Sequence, residues 1–354
     1  MLKASFVSLS DAMPHSSHPS NDPRLPARAQ FLAAHCAGCV APPVLASADA
    51  SARRYWRLRL ADGSTRMLMD APPPENIAAF LAIQARLAAA GVPVPQVGAC
   101  DLAQGFLILE DLGDCTLFQW RHGQSVDAVN AKLKQAVALL LGIAATDAGG
   151  LPKFSPERLN TEMDLFPEWY AAKYLGQPFT SAQSLVWQTQ RDVISARLSA
   201  MPQVFVHRDY HSRNLMVRDA HAEHPLVTID FQDAVRGPLA YDLVSLLRDS
   251  YIDWPQAQVT ALQAYFWANL PPAYQASQNL AQFCADFHWV AVQRHLKVLG
   301  IFARLSLRDG KHGYLKDLPL TWKHLQRALA ELPELHTLSE LLTPYAPLPP
   351  TPPP

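Results

Sequence analysis

The stretch Val204-Phe205-Val206-His207-Arg208-Asp209-Tyr210-His211-Ser212-Arg213-Asn214-Leu215-Met216-Val217, with Pro225-Leu226-Val227-Thr228-Ile229-Asp230 after a polar loop at 218–224, decides the fold. Its three apolar runs read as short buried strands inside a region otherwise patterned as helix. The second and third runs form a hairpin, with Asn214 at one mouth and Asp230 at the other. Asp209 precedes Asn214 by five positions, and Asp230 follows it by sixteen. That spacing brings three oxygen-bearing side chains to one edge, and hard oxygen donors suit Mg2+ holding nucleotide phosphates. As a lone residue Asp209 would pass for a turn or N-cap carboxylate, a reading that leaves Asn214 and Asp230 unexplained.

Outward from this patch, the first hundred residues read as short strands with one helix. Tyr55 to Leu60 alternates, Ala61-Asp62-Gly63-Ser64 turns, and Thr65 to Met69 runs extended, with the Asp-Gly marking a hairpin. Pro72, Pro73 and Pro74 break the chain ahead of a helix whose apolar positions are Ile77, Phe80, Leu81, Leu87 and Ala88, with Gly91 as its stop. Phe106 to Leu109 is a buried strand, Glu110-Asp111-Leu112-Gly113 a turn, and helical patterns follow to about Leu335. The fold class is α+β: a small β-rich N-lobe over 27–113 and a large helical C-lobe over 114–341 that contains the hairpin. Residues 1–26 are expected to be a disordered polar extension and 342–354 a Pro-rich tail. No internal repeat is present.

The 354 residues are 49% hydrophobic and 17% charged, a globular balance. Thirty Lys plus Arg against thirty-one Asp plus Glu leave no field to draw the chain to nucleic acid or a membrane surface. No uninterrupted apolar run approaches the roughly 18 residues of a membrane span, and no signal-peptide stretch opens the chain. Five cysteines fit reduced thiols, a cytoplasmic setting and a monomer. Cys36-Ala37-Gly38-Cys39 follows His35, but a zinc site needs a second ligand pair, so buried thiols are expected.

His207-Arg208-Asp209 through Asn214 resembles the catalytic loop of protein-kinase-like phosphotransferases. His211, Ile229-Asp230-Phe231-Gln232-Asp233-Ala234 and Gly237-Pro238-Leu239-Ala240-Tyr241-Asp242-Leu243 resemble the aminoglycoside phosphotransferase and choline kinase branch. The resemblance implies a protein-kinase-like two-lobed fold that uses ATP and Mg2+. It implies Asp209 as the base at the acceptor hydroxyl, Asn214 and Asp230 as Mg2+ ligands, and His207, His211 and Asp242 as supports of the loop. The N-lobe would bind nucleotide, with Ser47, Ser51, Arg53, Glu110 and Leu112 as candidate contacts. Two features depart from the wider pattern. Arg66-Met67-Leu68-Met69-Asp70 has no Lys for the α- and β-phosphates, and Ser47 to Arg53 is not glycine-rich. A nucleotide-binding pseudokinase therefore stands as an alternative.

Arg294, Lys297, Arg304 and Arg308 recur at intervals of 3, 7 and 4, one helical face beside Gln293. Facing the site, that stripe would favour an anionic or acetylated acceptor; facing water, it is an ordinary solvated surface. Met69-Asp70-Ala71-Pro72-Pro73, Phe166-Pro167-Glu168-Trp169-Tyr170, Tyr241 to Asp249 and Gln293 to Val298 resemble the bacterial cell-wall amino-sugar kinases, a group that also lacks the Lys. This implies phosphorylation of N-acetylmuramate or N-acetylglucosamine at the anomeric hydroxyl, in the recycling of wall sugars. Candidate sugar contacts are Glu162, Asp164, Trp169, Arg213, Gln232, Asp233, Gln293, Arg294 and Lys297, of which Glu162, Asp164 and Trp169 read equally as helix surface and core packing. An aminoglycoside or other small-alcohol phosphotransferase is the other enzymatic alternative.

Overall fold

The computed structural model describes residues 22–36, 38–48, 53–73, 75–218 and 225–347. Ser51, the first 21 residues and residues 348–354 of the expected tail lie outside them. The chain divides into two compact units, Met1–Glu75 with Val97–Glu110, and Asn76–Gln96 with Asp111–Pro354. Helix α2 (Ile77–Ala89) thus belongs to the second unit, although sequence places it within 27–113.

In the first unit, helix α1 (Leu25–His35) precedes an antiparallel sheet of β1 (Val44–Ala48), β2 (Arg54–Arg59), β3 (Thr65–Asp70), β4 (Val97–Asp101) and β5 (Phe106–Glu110), in the order β1-β2-β3-β5-β4. The β2–β3 turn closes as expected. Gly63 takes φ +83°, which costs glycine nothing, and Asp62 Oδ1 accepts from the Ser64 amide at 2.9 Å. Phe31, Leu58, Leu68, Phe106 and Ile108 form the core.

Beside that core lies a charged cluster. Asp70 is fully buried and accepts from Arg24 Nε at 2.6 Å and Arg54 Nη2 at 2.7 Å, while Asp22 accepts from Arg28 Nη1 at 2.8 Å. Burial alone would raise the Asp22 carboxyl, but the bonds from Arg28, the Arg24 amide and Arg54 bring it down to about 2. Residues 22–26, assigned from sequence to a disordered extension, are therefore built into the first unit, because Asp22 and Arg24 find partners some 30 to 80 positions away.

The second unit holds α2, α3 (Leu117–Trp120), α4 (Val126–Ala145), α5 (Pro156–Met163), a π-helical segment (Phe166–Tyr174), α6 (Ser181–Ala200), α7 (Tyr241–Leu247), α8 (Gln256–Ala268), α9 (Pro272–Ser277), α10 (Leu280–Asp309), α11 (Leu318–Ala330) and α12 (His336–Leu342). Ser125, Ser155, Thr180 and Asn279 cap α4, α5, α6 and α10 by accepting from backbone amides of the first turn. By length and mean hydropathy α4 is apolar enough to cross a membrane, though its sequence is interrupted by Asp127, Lys132 and Lys134; it buries Leu133, Val137, Leu140 and Ile143 inside the unit. The expected tail also begins later than sequence suggests. Tyr345 is buried, and its carbonyl accepts from the Tyr170 hydroxyl at 3.0 Å.

Four short strands lie among these helices: β6 (Gln203–Val206), β7 (Leu215–Val217), β8 (Leu226–Thr228) and β9 (Val235–Pro238). β7 and β8 form the expected hairpin, with Leu215 opposite Thr228 and Val217 opposite Leu226. β6 pairs instead with β9, a strand that the Gly-Pro in its sequence conceals.

α10 packs along the π-helical segment. A Cβ built on Gly300 would lie 2.5 Å from the carbonyl oxygen of Leu165, which is backbone and cannot swing aside. Alanine in a helix interior ordinarily gains up to about 1 kcal/mol over glycine. Here overpacking should reverse the sign, with Gly300→Ala losing about 1–3 kcal/mol. Thermal or urea unfolding measures it.

Candidate active site

β6 delivers the chain into the loop at His207, and buried Val204, Phe205 and Val206 fix its direction. Two carboxylates then bracket the loop. Asp242, in the first turn of α7, accepts from the His207 amide at 2.6 Å and from the Arg208 amide at 2.9 Å. Asp249, seven residues on and fully buried, accepts from the Ser212 and Tyr251 amides, each at 2.9 Å. Arg208 and Asp230 are the only non-glycine residues at positive φ among those described, at +79° and +66°. Such backbone is costly for a side-chain-bearing residue and persists where its surroundings hold it.

Inside this bracket the side chains of Asn214 and Asp230 meet, with the Asp209 backbone joined to them. Asn214 Nδ2 donates to the Asp209 carbonyl at 3.0 Å and to Asp230 Oδ2 at 3.2 Å. The Ile229 amide donates to the Asn214 carbonyl at 3.0 Å, which joins the mouths of the hairpin. Gln232 Nε2 donates to Asp230 Oδ1 at 2.9 Å.

The Asp209 side chain is 36% exposed, and Arg294 Nη1 stands 3.9 Å from its Oδ1. Desolvation would raise this carboxyl, but the charges of Lys297, Arg294 and Arg208 outweigh it and hold Asp209 well below the usual carboxylate range. Behind it Glu162 is buried. It pairs with Arg208 Nη2, lies 3.6 Å from Lys297 Nζ and accepts from Gln293 Nε2 at 3.3 Å. Burial raises the Glu162 carboxyl and Lys297 and Arg208 lower it further, for a net shift downward. Arg208, Arg294 and Lys297 thus face Asp209 and Glu162, with Asp233 and Asp249 also within electrostatic reach of Arg208 and Arg294.

His207 is fully buried with Nε2 2.9 Å from Thr228 Oγ1, and burial pushes its pKa down to about 4. His211 is likewise lowered by burial and sets its ring edge-on to Tyr251 at 5.3 Å. Burial also holds His295 at about 4 and His324 at about 3. In the unfolded chain each would titrate near 6.5, so unfolding takes up protons below that pH. The stability they contribute is complete above about 6.5 and is lost as pH falls towards 4. Asp242, raised by burial to about 7, runs the opposite way and offsets part of this loss. The melting temperature should accordingly fall between pH 7 and 4.5; a flat profile would contradict buried neutral histidines.

The remaining candidates are placed as follows. Asp164 is engaged by Trp187 Nε1 at 2.8 Å and Arg191 Nη1 at 2.5 Å, both on α6. Trp169, on the π-helical segment, carries Lys173 Nζ 3.5 Å from its ring centroid. Arg213 lies over Tyr251 at 3.5 Å and 3.7 Å from Asp317, and Asp233 is exposed. The basic stripe divides, with Arg294 and Lys297 buried while Arg308 is exposed and paired with Asp309. In the first unit Arg53 Nε donates to Glu75 at 2.8 Å, Glu110 lies opposite Arg66 in register, and Ser47 pairs with Tyr55 along β1–β2. Leu112 is half-buried just past β5. Sequence reasoning missed Asp249 and the pairing of Arg208. The seven-residue step from Asp242, two helical turns, was the available signal for Asp249.

The five-stranded antiparallel unit and the helical unit that carries Asp209, Asn214 and Asp230 have a protein-kinase-like fold. The family model described as "Phosphotransferase enzyme family" matches residues 44–278, and the chain belongs to that family. It is 41% identical over 306 residues to the N-acetylmuramate/N-acetylglucosamine kinase of Pseudomonas aeruginosa, covering 84% of this chain and 86% of the relative. The kinase of the same name from Neisseria meningitidis is 41% identical over 301 residues, with coverage of 84% and 88%. Among solved structures, ADP-bound aminoglycoside phosphotransferase APH(2'')-Ib aligns with a TM-score of 0.57 at 14% identity, covering 85% of this chain and 97% of that one. A choline/ethanolamine kinase family protein from Mesorhizobium loti aligns at 0.55 and 16% identity, covering 90% and 98%. At those identities the structural likeness speaks for the fold alone.

Proposed function

We propose that the protein transfers the γ-phosphoryl group of ATP to the anomeric hydroxyl of N-acetylmuramate or N-acetylglucosamine. The observation that carries this reading is the 41% identity, over 84% of the chain, to kinases named for those two sugars. Asp209, ionised and flanked by Arg294, is the group that accepts the hydrogen bond of the acceptor hydroxyl, aligns its oxygen for in-line attack and takes its proton. An anomeric hydroxyl is more acidic than an ordinary alcohol, so a single carboxylate base suffices. Asn214 Oδ1 and the Asp230 carboxylate are hard oxygens, the donor type that Mg2+ takes, and Asn214 Nδ2 and Gln232 Nε2 orient the Asp230 carboxylate by donating to it. Mg2+ bound there would neutralise phosphate charge.

The basic groups Arg294, Lys297 and Arg208 around Asp209 suit an acceptor or transition state that brings negative charge, and the lactyl carboxylate of N-acetylmuramate supplies one. Arg213, Gln232 and Asp233 are proposed for the sugar hydroxyls, and Arg53, Glu110 and Leu112 for the nucleotide, while Gln293, fully buried, holds Glu162. Coupled detection of ADP with Mg-ATP and single acceptors tests the substrate class. Turnover is expected with both N-acetylated sugars and not with kanamycin or choline. Turnover confined to kanamycin or choline would overturn the sugar assignment, and no turnover on any acceptor would overturn the reaction.

A further inference from the structure

Cys36-Ala37-Gly38-Cys39 is the one sequence motif that the phosphotransfer site leaves unused; Ala37 lies outside the described residues, and both cysteines lie within them. α1 ends at Cys36, whose amide reaches back to the Leu32 carbonyl at 2.8 Å. The chain then turns, and the Cys39 amide donates to the Cys36 carbonyl at 3.0 Å. Cys39 joins the sheet by a bridge to Leu60, flanked by bonds from Ala61 N to Gly38 O at 2.9 Å and from Val40 N to Arg59 O at 3.0 Å. With a helix anchoring one side and the β2–β3 hairpin the other, the two Sγ atoms stand 3.1 Å apart. Both are half-buried against the Phe31–Leu58–Leu68–Phe106 core, so a small reagent can reach them.

We propose that Cys36 and Cys39 form a reversible dithiol–disulfide site whose reaction partner is a low-molecular-weight disulfide. An opening attack by Cys36, at the end of α1, leaves the Cys39 sulfur in contact with it to close the bridge. The Cys36 thiolate bonds to one sulfur of the reagent and expels the other half as a thiolate. Cys39 then gives up its proton and attacks the Cys36 sulfur, which releases the second half. Two protein thiols are oxidised, one small disulfide is reduced to two thiols, and the two protons pass to those thiols. The product staples the end of α1, the helix whose Arg28 and preceding Arg24 hold Asp70, to the turn end of the β2–β3 hairpin.

The test uses the full chain and oxidised glutathione, followed by alkylation of remaining thiols, trypsin digestion and mass spectrometry. The fragment Ala29–Arg53 contains Cys36 and Cys39 and no other cysteine. It should appear unalkylated and lighter by two hydrogens, and dithiothreitol should restore its double alkylation. In Cys36→Ser the same fragment should carry a singly alkylated Cys39. Glutathione adducts on exposed Cys100 and Cys115 show that the oxidant acted. A fragment that stays doubly alkylated while those adducts form, or that holds glutathione without closing, would overturn the site.

Discussion

Asp209→Asn is expected to lose about a hundredfold or more in kcat, the usual worth of a positioned general base. The substitution keeps size and one acceptor oxygen but removes the charge and the basicity. It also leaves Arg294 without the carboxylate 3.9 Å from it, while Lys297 keeps Glu162 at 3.6 Å, so a surplus of positive charge stands at the point where the acceptor oxygen must be aligned. Because the side chain is partly exposed, water relieves that surplus and the fold survives. KM for ATP and the melting temperature should change little. Steady-state kinetics with N-acetylglucosamine, alongside thermal unfolding, separates the two effects. More than a tenth of wild-type kcat would contradict the role given to Asp209.

Glu162→Ala should be the most damaging substitution for stability. It strips Arg208 and Lys297 of their shared carboxylate and orphans the Gln293 amide, all in surroundings closed to water. Removing one partner of a buried pair costs about 3–5 kcal/mol. In a unit of this size about 1 kcal/mol moves the melting temperature by roughly 2–4 °C, so a fall on the order of 10 °C is expected. The pH dependence has a definite sign. The Glu162 carboxyl is held below its ordinary value in the folded state, so its contribution is present above the ordinary carboxylate pKa and is lost as pH falls through the depressed one. Wild type and Glu162→Ala should therefore converge in acid and stand furthest apart near neutrality. Equal stability at pH 7 would contradict a charge-balancing role for Glu162.

The grouping of Asp209, Asn214 and Asp230 was legible because the three are local in sequence. Asn214 and Asp230 stand at the two mouths of the β7–β8 hairpin and Asp209 in the loop that enters it, and the apolar runs on either side of the loop dictate which way it opens. The β2–β3 hairpin was legible for the same reason, since Asp62-Gly63 carries its own turn geometry. What escaped depends on distant partners. β9 forms a strand because β6 pairs with it, against the tendency of its Gly237 and Pro238. Asp22 and Arg24 look like part of a polar leader until Asp70, Arg54 and the Gln104 carbonyl are brought to them. Glu162 and Asp164 read alike on α5 and its end, yet one is buried among Arg208, Lys297 and Gln293 and the other is tied outward to α6. Periodicity sees the helix face, whereas the polar groups that meet that face come from the loop and from α10, more than 40 and 130 positions away respectively.

The most direct test is a phosphorus–proton correlation spectrum of the product made from Mg-ATP and N-acetylglucosamine. Phosphorus coupled to the anomeric proton is the expected result, because it fixes the sugar as acceptor and the anomeric oxygen as the attacking atom in one observation. Phosphorus coupled to the protons at the sixth carbon, or inorganic phosphate with the sugar unchanged, would contradict it.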